Sequence, residues 1–210
     1  MRVGELSRRA GVSVPTIKYY VREGLLPAGQ LTSPNQASYD ETHVRRLRLI
    51  RALLDVGGLS VAGIREVITA IEDPERPVHS VLGEAADQVV PLGDDDPGEG
   101  VVAAREAVAE LVERCGWHTY PDCPAAEALA TALAALEGVG HGGFAEVLDV
   151  YAAAAERVAA ADLEYVARNV VREELVESAV VGTVLGDAVF AALRRLAHID
   201  ASKRVFGTDV

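Results

Sequence analysis

The stretch VPTIKYYVREGLLP, Val14 to Pro27, decides how the N-terminal third of the chain is built. Ser13 stands ahead of it as a helix N-cap. Pro15 is tolerated in the first turn, where an N–H has no intrahelical partner to lose. Ile17 and Val21 lie one turn apart and face the same way. Thr16, Lys18, Tyr19, Tyr20 and Arg22 occupy the other positions, and Gly24 ends the helix. Upstream, Val3, Leu6 and Ala10 mark one face of a short first helix closed by Gly11. Two short helices around a tight turn containing glycine make a helix-turn-helix, and the second is short enough to lie in a major groove of duplex DNA.

Each polar residue of that second helix has a role it can fill in a groove. Lys18 and Arg22 can neutralise phosphates or reach guanine acceptors. The hydroxyls of Ser13, Thr16, Tyr19 and Tyr20 can donate to phosphate oxygens while the rings pack against sugar edges. The plainer alternative makes Tyr19 and Tyr20 half-buried core aromatics and Lys18 ordinary surface. For one tyrosine the two readings balance; the ordered set favours DNA.

Outward from this stretch, Pro27 to Tyr39 is the one place for a hairpin, with Gly29, Ser33, Pro34 and Asn35 supplying turn chemistry. Asp40 can cap a third helix whose buried stripe is Val44, Leu47, Ile50 and Leu54. Its arginines, Arg45, Arg46, Arg48 and Arg51, spread over the other faces as ion-pair partners or phosphate ligands. Gly57 and Gly58 end it. Ser60 can cap a fourth helix with Ile64, Val67, Ile68 and Ile71 facing inward.

The segments VGELSRRAGVSVPTIKYYVREGLLP (Val3 to Pro27) and SYDETHVRRLRLIRALLDVGGLSVAGIREVI (Ser38 to Ile68) resemble the N-terminal region of MerR-family regulators. The resemblance spans about residues 1–71. It implies a winged helix-turn-helix on a two-fold homodimer that binds a near-palindromic promoter operator in double-stranded DNA. Such regulators bend and untwist the promoter so that RNA polymerase, an indirect partner, can use it. The DNA-binding positions it implies are Ser13, Thr16, Lys18, Tyr19, Tyr20 and Arg22, then Gln36, Ser38 and Tyr39 of the wing, then Arg45 and Arg46. Two departures stand out. Lys18 replaces the family's usual arginine and loses its bidentate fork. The wing, Gly29 to Tyr39, carries no positive charge, which shifts the expected electrostatic grip to Arg45, Arg46 and Arg48.

Charge supports a head and a body. The 210 residues carry a net charge of -12, but Met1 to Ile71 hold ten Lys+Arg against six Asp+Glu, a balance of +4, and the rest hold ten against 26, a balance of -16. A basic head on an acidic body suits a molecule that presents one end to phosphate. No signal-peptide run or membrane-length apolar stretch is present, so a cytoplasmic protein with no membrane partner is expected. No phosphate loop, nucleophile elbow or hydrolase metal motif points to an enzyme or a cofactor.

The fold class expected is all-α with a small β wing: residues 1–71 as the head, 72–100 as a short linking helix (Val78 to Val90) and acidic loop, and 101–210 as a helical effector-binding or dimerisation domain. Periodicity suggests five helices in that body: Val101 to Arg114, Ala125 to Leu136, Phe144 to Ala161, Leu163 to Glu177 and Val180 to Ala197. Gly182 and Gly186 make a flat strip that serves either internal packing or a dimer seam. A small-molecule effector would find Trp117, Tyr120, Tyr151, Tyr165 and Phe190 available to line a pocket, with Phe144 a further aromatic. Cys115 and Cys123 are incidental thiols, a redox pair or soft-metal ligands; the spacing resembles the metal loop of metal-sensing MerR relatives.

Overall fold

The computed structural model describes residues 1–33, 36–73, 75–77, 80, 81, 83, 87, 100–118, 123–169 and 172–207. Contacts divide the chain into two compact units, Met1–Leu82 with Val176–Val210, and Gly83–Leu175.

In the first unit three helix starts are set by a capping side chain. Helix α1 (Val3–Ala10) ends at Gly11, whose φ of 68° is the left-handed conformation glycine adopts without strain. Ser13 caps α2 (Val14–Arg22) by accepting the N–H of Thr16. Strands β1 (Gln30–Ser33) and β2 (Gln36–Ser38) pair antiparallel, Gln30 opposite Ser38, with an irregularity between Leu31 and Ser33. Asp40 caps α3 (Glu41–Asp55) in a capping box, accepting the N–H groups of Thr42 and His43 while its own N–H donates to His43 Nδ1. Ser60 caps α4 (Val61–Glu72) by accepting the N–H of Gly63 at 3.0 Å.

Apolar faces then close one core. Leu6, Ile17, Leu25, Leu26, Val44, Leu47, Ile50, Leu53, Ile64 and Val67 are fully buried. The α3 stripe differs in one place from the periodic reading: Leu53 is sealed, whereas Leu54 is half-buried. Burial recurs at 44, 47, 50 and 53. A three-residue step lags behind a 3.6-residue turn, so the buried face drifts round the helix and leaves Leu54 at its edge.

The second unit is a stack of alanine-rich helices. Helix α5 (Gly100–Cys115) packs on α6 (Pro124–Gly138) through Ala104, Val108 and Ala130, small side chains that let the helices approach closely. A 3₁₀ turn (Gly142–Val147) leads into α7 (Leu148–Asn169). Leu148 and Ala152 pack with Leu111, and Cys115 and Trp117 border this cluster. Arg105 holds Glu127 through two hydrogen bonds, and Arg114 reaches Asp149 at 3.0 Å.

The last helix, α8 (Arg172–Phe206), corrects the expected division of the body. Helix continues through residues 161–163, where a break was expected, and the segments expected to separate at 177–180 are one helix. No proline or glycine lies between Asp149 and Val181 to stop it. Gly182 and Gly186 each cost only about 1 kcal/mol relative to alanine. Within the first unit Val180 and Val184 are buried, and a Cβ on Gly57 would come within 2.4 Å of Val184 Cγ1. The expected Val78–Val90 helix and the acidic loop before Gly100 lie largely outside the described residues.

The core assignment is testable in α3. Leu47→Ala removes a sealed side chain and should cost about 2–5 kcal/mol, with Leu54→Ala costing clearly less. Native-state hydrogen exchange of the α3 amides measures both, and the reverse order would overturn the packing described.

Candidate nucleic-acid interface

Helix α2 has two chemically distinct faces. Ile17 and Tyr20 point into the core, at 0% and 5% exposure, while Lys18 and Arg22 are exposed and Thr16 and Tyr19 are half-buried. The Arg22 guanidinium sits 5.2 Å from the centre of the Tyr19 ring, a cation–π contact that orients both groups outward. Ser13 Oγ and Thr16 Oγ1 lie 2.7 Å apart at the helix N-terminus, where backbone N–H groups also favour an anion.

Tyr20 departs from its expected role. Its ring is part of the core, and burial raises its phenol pKa, with Arg51 opposing and Asp55 and Tyr19 adding to the shift. The Tyr20 ring therefore supports α2 from beneath.

The helix is also tied at its end. Arg65 of α4 donates through Nε to the Glu23 carbonyl at 2.9 Å and through its terminal nitrogen to the Glu23 carboxylate at 2.8 Å. Sequence reasoning missed Arg65, because a contact 42 positions away leaves no periodic signal. Across the turn, Ser7 Oγ donates to the Val12 carbonyl at 2.6 Å.

The wing is fastened at its base. The Tyr39 N–H donates to the Met1 carbonyl at 2.8 Å, and the Met1 nitrogen donates to the Tyr39 carbonyl at 2.5 Å. Gly29 permits this closure, since a Cβ there would stand 2.8 Å from the Ser38 carbonyl and 2.9 Å from the Tyr39 ring. The Tyr39 ring meets His43 edge-on, with centroids 5.1 Å apart. Gln36 is exposed, Ser38 and Tyr39 are half-buried, and Leu31, not singled out from sequence, is 79% exposed.

The α3 arginines divide. Arg45 and Arg48 are exposed. Arg46 is not available as expected: its side chain is only 18% exposed, it pairs with Glu72 of α4, and one terminal nitrogen is buried without a hydrogen-bond partner. It is a tie between helices. Arg9 plays the same part, donating to Glu41 at 2.9 Å.

In the body the expected effector residues are dispersed. Trp117 is half-buried beside the Leu111 cluster, and Tyr151 meets Phe144 with centroids 5.6 Å apart. Tyr165 is 69% exposed, so its ring lines no enclosed space, and Phe190 belongs to the other unit. Tyr120 lies outside the described residues. A concavity of about 400 Å³ is lined by Ala154, Arg157, Val158, Ala161 and Asp162, none of them an expected effector residue. Cys115 and Cys123 are free thiols, both half-buried, and no cluster of three metal-ligating side chains occurs among the described residues. Nor does any described helix have the length and apolarity to cross a membrane.

Two helices with one polar face outward and a β wing beside them, in a chain that is otherwise helical, define a winged helix-turn-helix transcription regulator. Residues 1–71 match the MerR HTH family regulatory protein model, and the chain belongs to the MerR family. The HTH-type transcriptional regulator HmrR of Sinorhizobium medicae (strain WSM419) is 30% identical over 62% of this chain and 86% of its own length. Heavy metal-dependent transcription regulator 2 of Rhizobium meliloti (strain 1021) is 29% identical over the same shares. Among solved structures, a protein of Streptomyces coelicolor A3(2) described as a candidate transcriptional regulator matches over 100% of both chains, at 37% identity and a TM-score of 0.73. At the level of the family these are regulators, not enzymes.

The α3 cap gives a pH prediction. Hydrogen bonds from Thr42 and then His43 hold the Asp40 carboxyl well below the usual carboxylate range. Its contribution to folding is therefore complete above the unfolded value of about 4 and is lost as pH falls below it. Asp40→Asn should flatten the acid limb of a thermal-melt series taken from pH 6 downward. Parallel acid limbs in the two proteins would remove this cap from the account.

Proposed function

We propose that this chain binds a near-palindromic promoter operator as a homodimer and controls RNA polymerase through the shape of the DNA. One observation carries the reading: the outward face of α2, where Lys18 and Arg22 are exposed beside Tyr19 and Thr16 while the opposite face is sealed in the core. In this reading α2 enters the major groove, Ser13 and Thr16 meet phosphate at its N-terminus, and Arg45 adds a contact from α3. Gln36, Ser38 and Tyr39 offer the wing's hydrogen bonds, and the charge of +4 over residues 1–71 draws that end to DNA. The helical body takes a small-molecule effector in the cytoplasm, and residues 1–71, 72–100 and 101–210 act as head, linker and effector or dimerisation domain.

The test is fluorescence anisotropy against the duplex upstream of the chain's own gene, at two salt concentrations, with scrambled duplex as competitor. Lys18→Ala should weaken binding and lower the salt slope by about two, since it removes one phosphate-neutralising charge from each protomer of the dimer. Tyr20→Phe should leave affinity nearly unchanged, because that ring is internal. Selective binding that is indifferent to Lys18 would defeat the placement of α2.

A second reading makes the body metal-responsive. It is favoured by the names of the heavy metal-dependent relatives and by Cys115 and Cys123, both half-buried free thiols. Titration with zinc or copper(I) should then show stoichiometric binding that Cys115→Ser abolishes. Binding unaltered by that substitution, or none, would discard it.

A further inference from the structure

Strands β1 and β2 have no buried face to fix them. All four residues of β1 are exposed, and β2 is exposed at Gln36 and half-buried at Ala37 and Ser38. A lone two-stranded hairpin is marginal in water, so the direction in which this wing projects must be set at its base. One aromatic ring occupies that base. Tyr39, which follows β2, lies across Gly29, which precedes β1: a Cβ on Gly29 would stand 2.9 Å from Tyr39 Cε1 and 3.0 Å from Cζ. The same ring is met edge-on by His43 of α3, with centroids 5.1 Å apart and planes at 90°.

The helix cap alone does not account for a histidine at position 43. It is the third helical residue of α3, and its Nδ1 serves the cap, 2.7 Å from Asp40 Oδ1. Glutamate or glutamine at that place completes the same capping box. His43 instead is 8% exposed, and its Nε2 is buried with no hydrogen-bond partner among the described residues. A buried nitrogen left unpaired works against folding, and a cap made by glutamine would not require it. The contact with Tyr39 does require a ring, because an edge-to-face pair needs two flat, rigid groups.

We propose that His43 is a positioning residue for the wing. Its ring holds Tyr39 against Gly29, and the three together fix the direction of β1 and β2 before DNA arrives. Gly29 ties the wing's entry and Tyr39 its exit. His43 joins both to the start of α3, the helix that also carries the exposed Arg45 and Arg48. Wing and α3 thus meet a duplex as one preformed surface, which spares the cost of ordering the hairpin at contact. Aim matters more in this wing than in a basic one. Gly29 to Tyr39 carry no positive charge to draw the hairpin onto phosphate, and hydrogen bonds from Gln36 and Ser38 form only at the right distance and angle. The inference rests on the DNA-binding reading above and adds what aims its wing.

Hydrogen exchange of the free full chain, read by mass spectrometry over residues 28–39 and over α3, separates ring from cap. His43→Gln keeps a side chain able to complete the capping box but has no ring. Its wing amides should exchange about tenfold faster, with the α3 amides unchanged. His43→Phe keeps a ring and loses the cap, so it should hold wing exchange near wild type while the first turn of α3 loosens. Gly29→Ala should loosen the wing as His43→Gln does. The double variant should exchange little faster than either single one, because both release the same contact. The opposite order, a wing kept by glutamine and lost by phenylalanine, would assign His43 to the cap and overturn the proposal, as would a wing indifferent to both. On operator duplexes recovered by genomic selection, His43→Gln should weaken binding roughly tenfold, since two wings per dimer must then be ordered on contact. Its hydroxyl-radical footprint should lose protection at the sugars flanking each half-site and keep protection within it. Flanking protection that survives both His43→Gln and Gly29→Ala would overturn the proposal. A wild-type footprint with no flanking protection would instead overturn the wing's part in DNA binding, and the exchange series would decide the His43 contact by itself.

Discussion

The burial of Ile17 and Tyr20 beneath α2 is the contact on which the rest of the head depends. A nine-residue helix is too short to be stable in water by itself. Its position must come from packing, and the packing leaves one face of the helix to the core and the other to solvent. Arg65 then fixes its C-terminal end through Glu23, and Ser13 fixes its start. The outward face is thereby held on regular structure, with no mobile loop between it and the core. Preorganisation of this kind spares a binding surface the cost of ordering its side chains and backbone at the moment of contact.

The arginines show how one residue type serves two ends. Arg46, Arg9 and Arg65 tie α3 to α4, α1 to α3 and α4 to the end of α2. Their long stems cover apolar surface while their head groups meet carboxylates. The exposed ties of Arg9 and Arg65 contribute about 1 kcal/mol or less each, so their value lies in setting helix register more than in stability. Lys18 and Arg22 on α2, and Arg48 on α3, lie at the surface instead. Arg2 and Arg8, at the N-terminus and on α1, are exposed as well.

Much of the head was legible in the sequence because its signals are local. Caps at Ser13, Asp40 and Ser60, left-handed glycines at 11, 24 and 58, and an apolar period in α3 and α4 each act within a few residues. What was not legible is long-range. Tyr20 shares a helix face with Ile17, three residues earlier, but that spacing alone does not set how deep its ring lies. Arg46 reads like Arg45 until α4 places Glu72 beside it. In the body the alanine-rich helices have weak stops, so the boundary expected near residue 162 dissolves into α7, and two expected segments fuse into α8. The aromatic residues proposed to line an effector pocket had no spacing of their own to bring them together; among the described residues of the second unit, Tyr151 meets Phe144.

The central claim is that α2 presents a DNA-reading face in a two-fold arrangement. Hydroxyl-radical footprinting on duplexes recovered by genomic selection with the purified protein tests it most directly. Two protected patches related by a dyad, with major-groove contact at equivalent bases in each half, is the result the account predicts. A selected site with a single patch, or protection that survives replacement of both Lys18 and Arg22 by alanine, would contradict it.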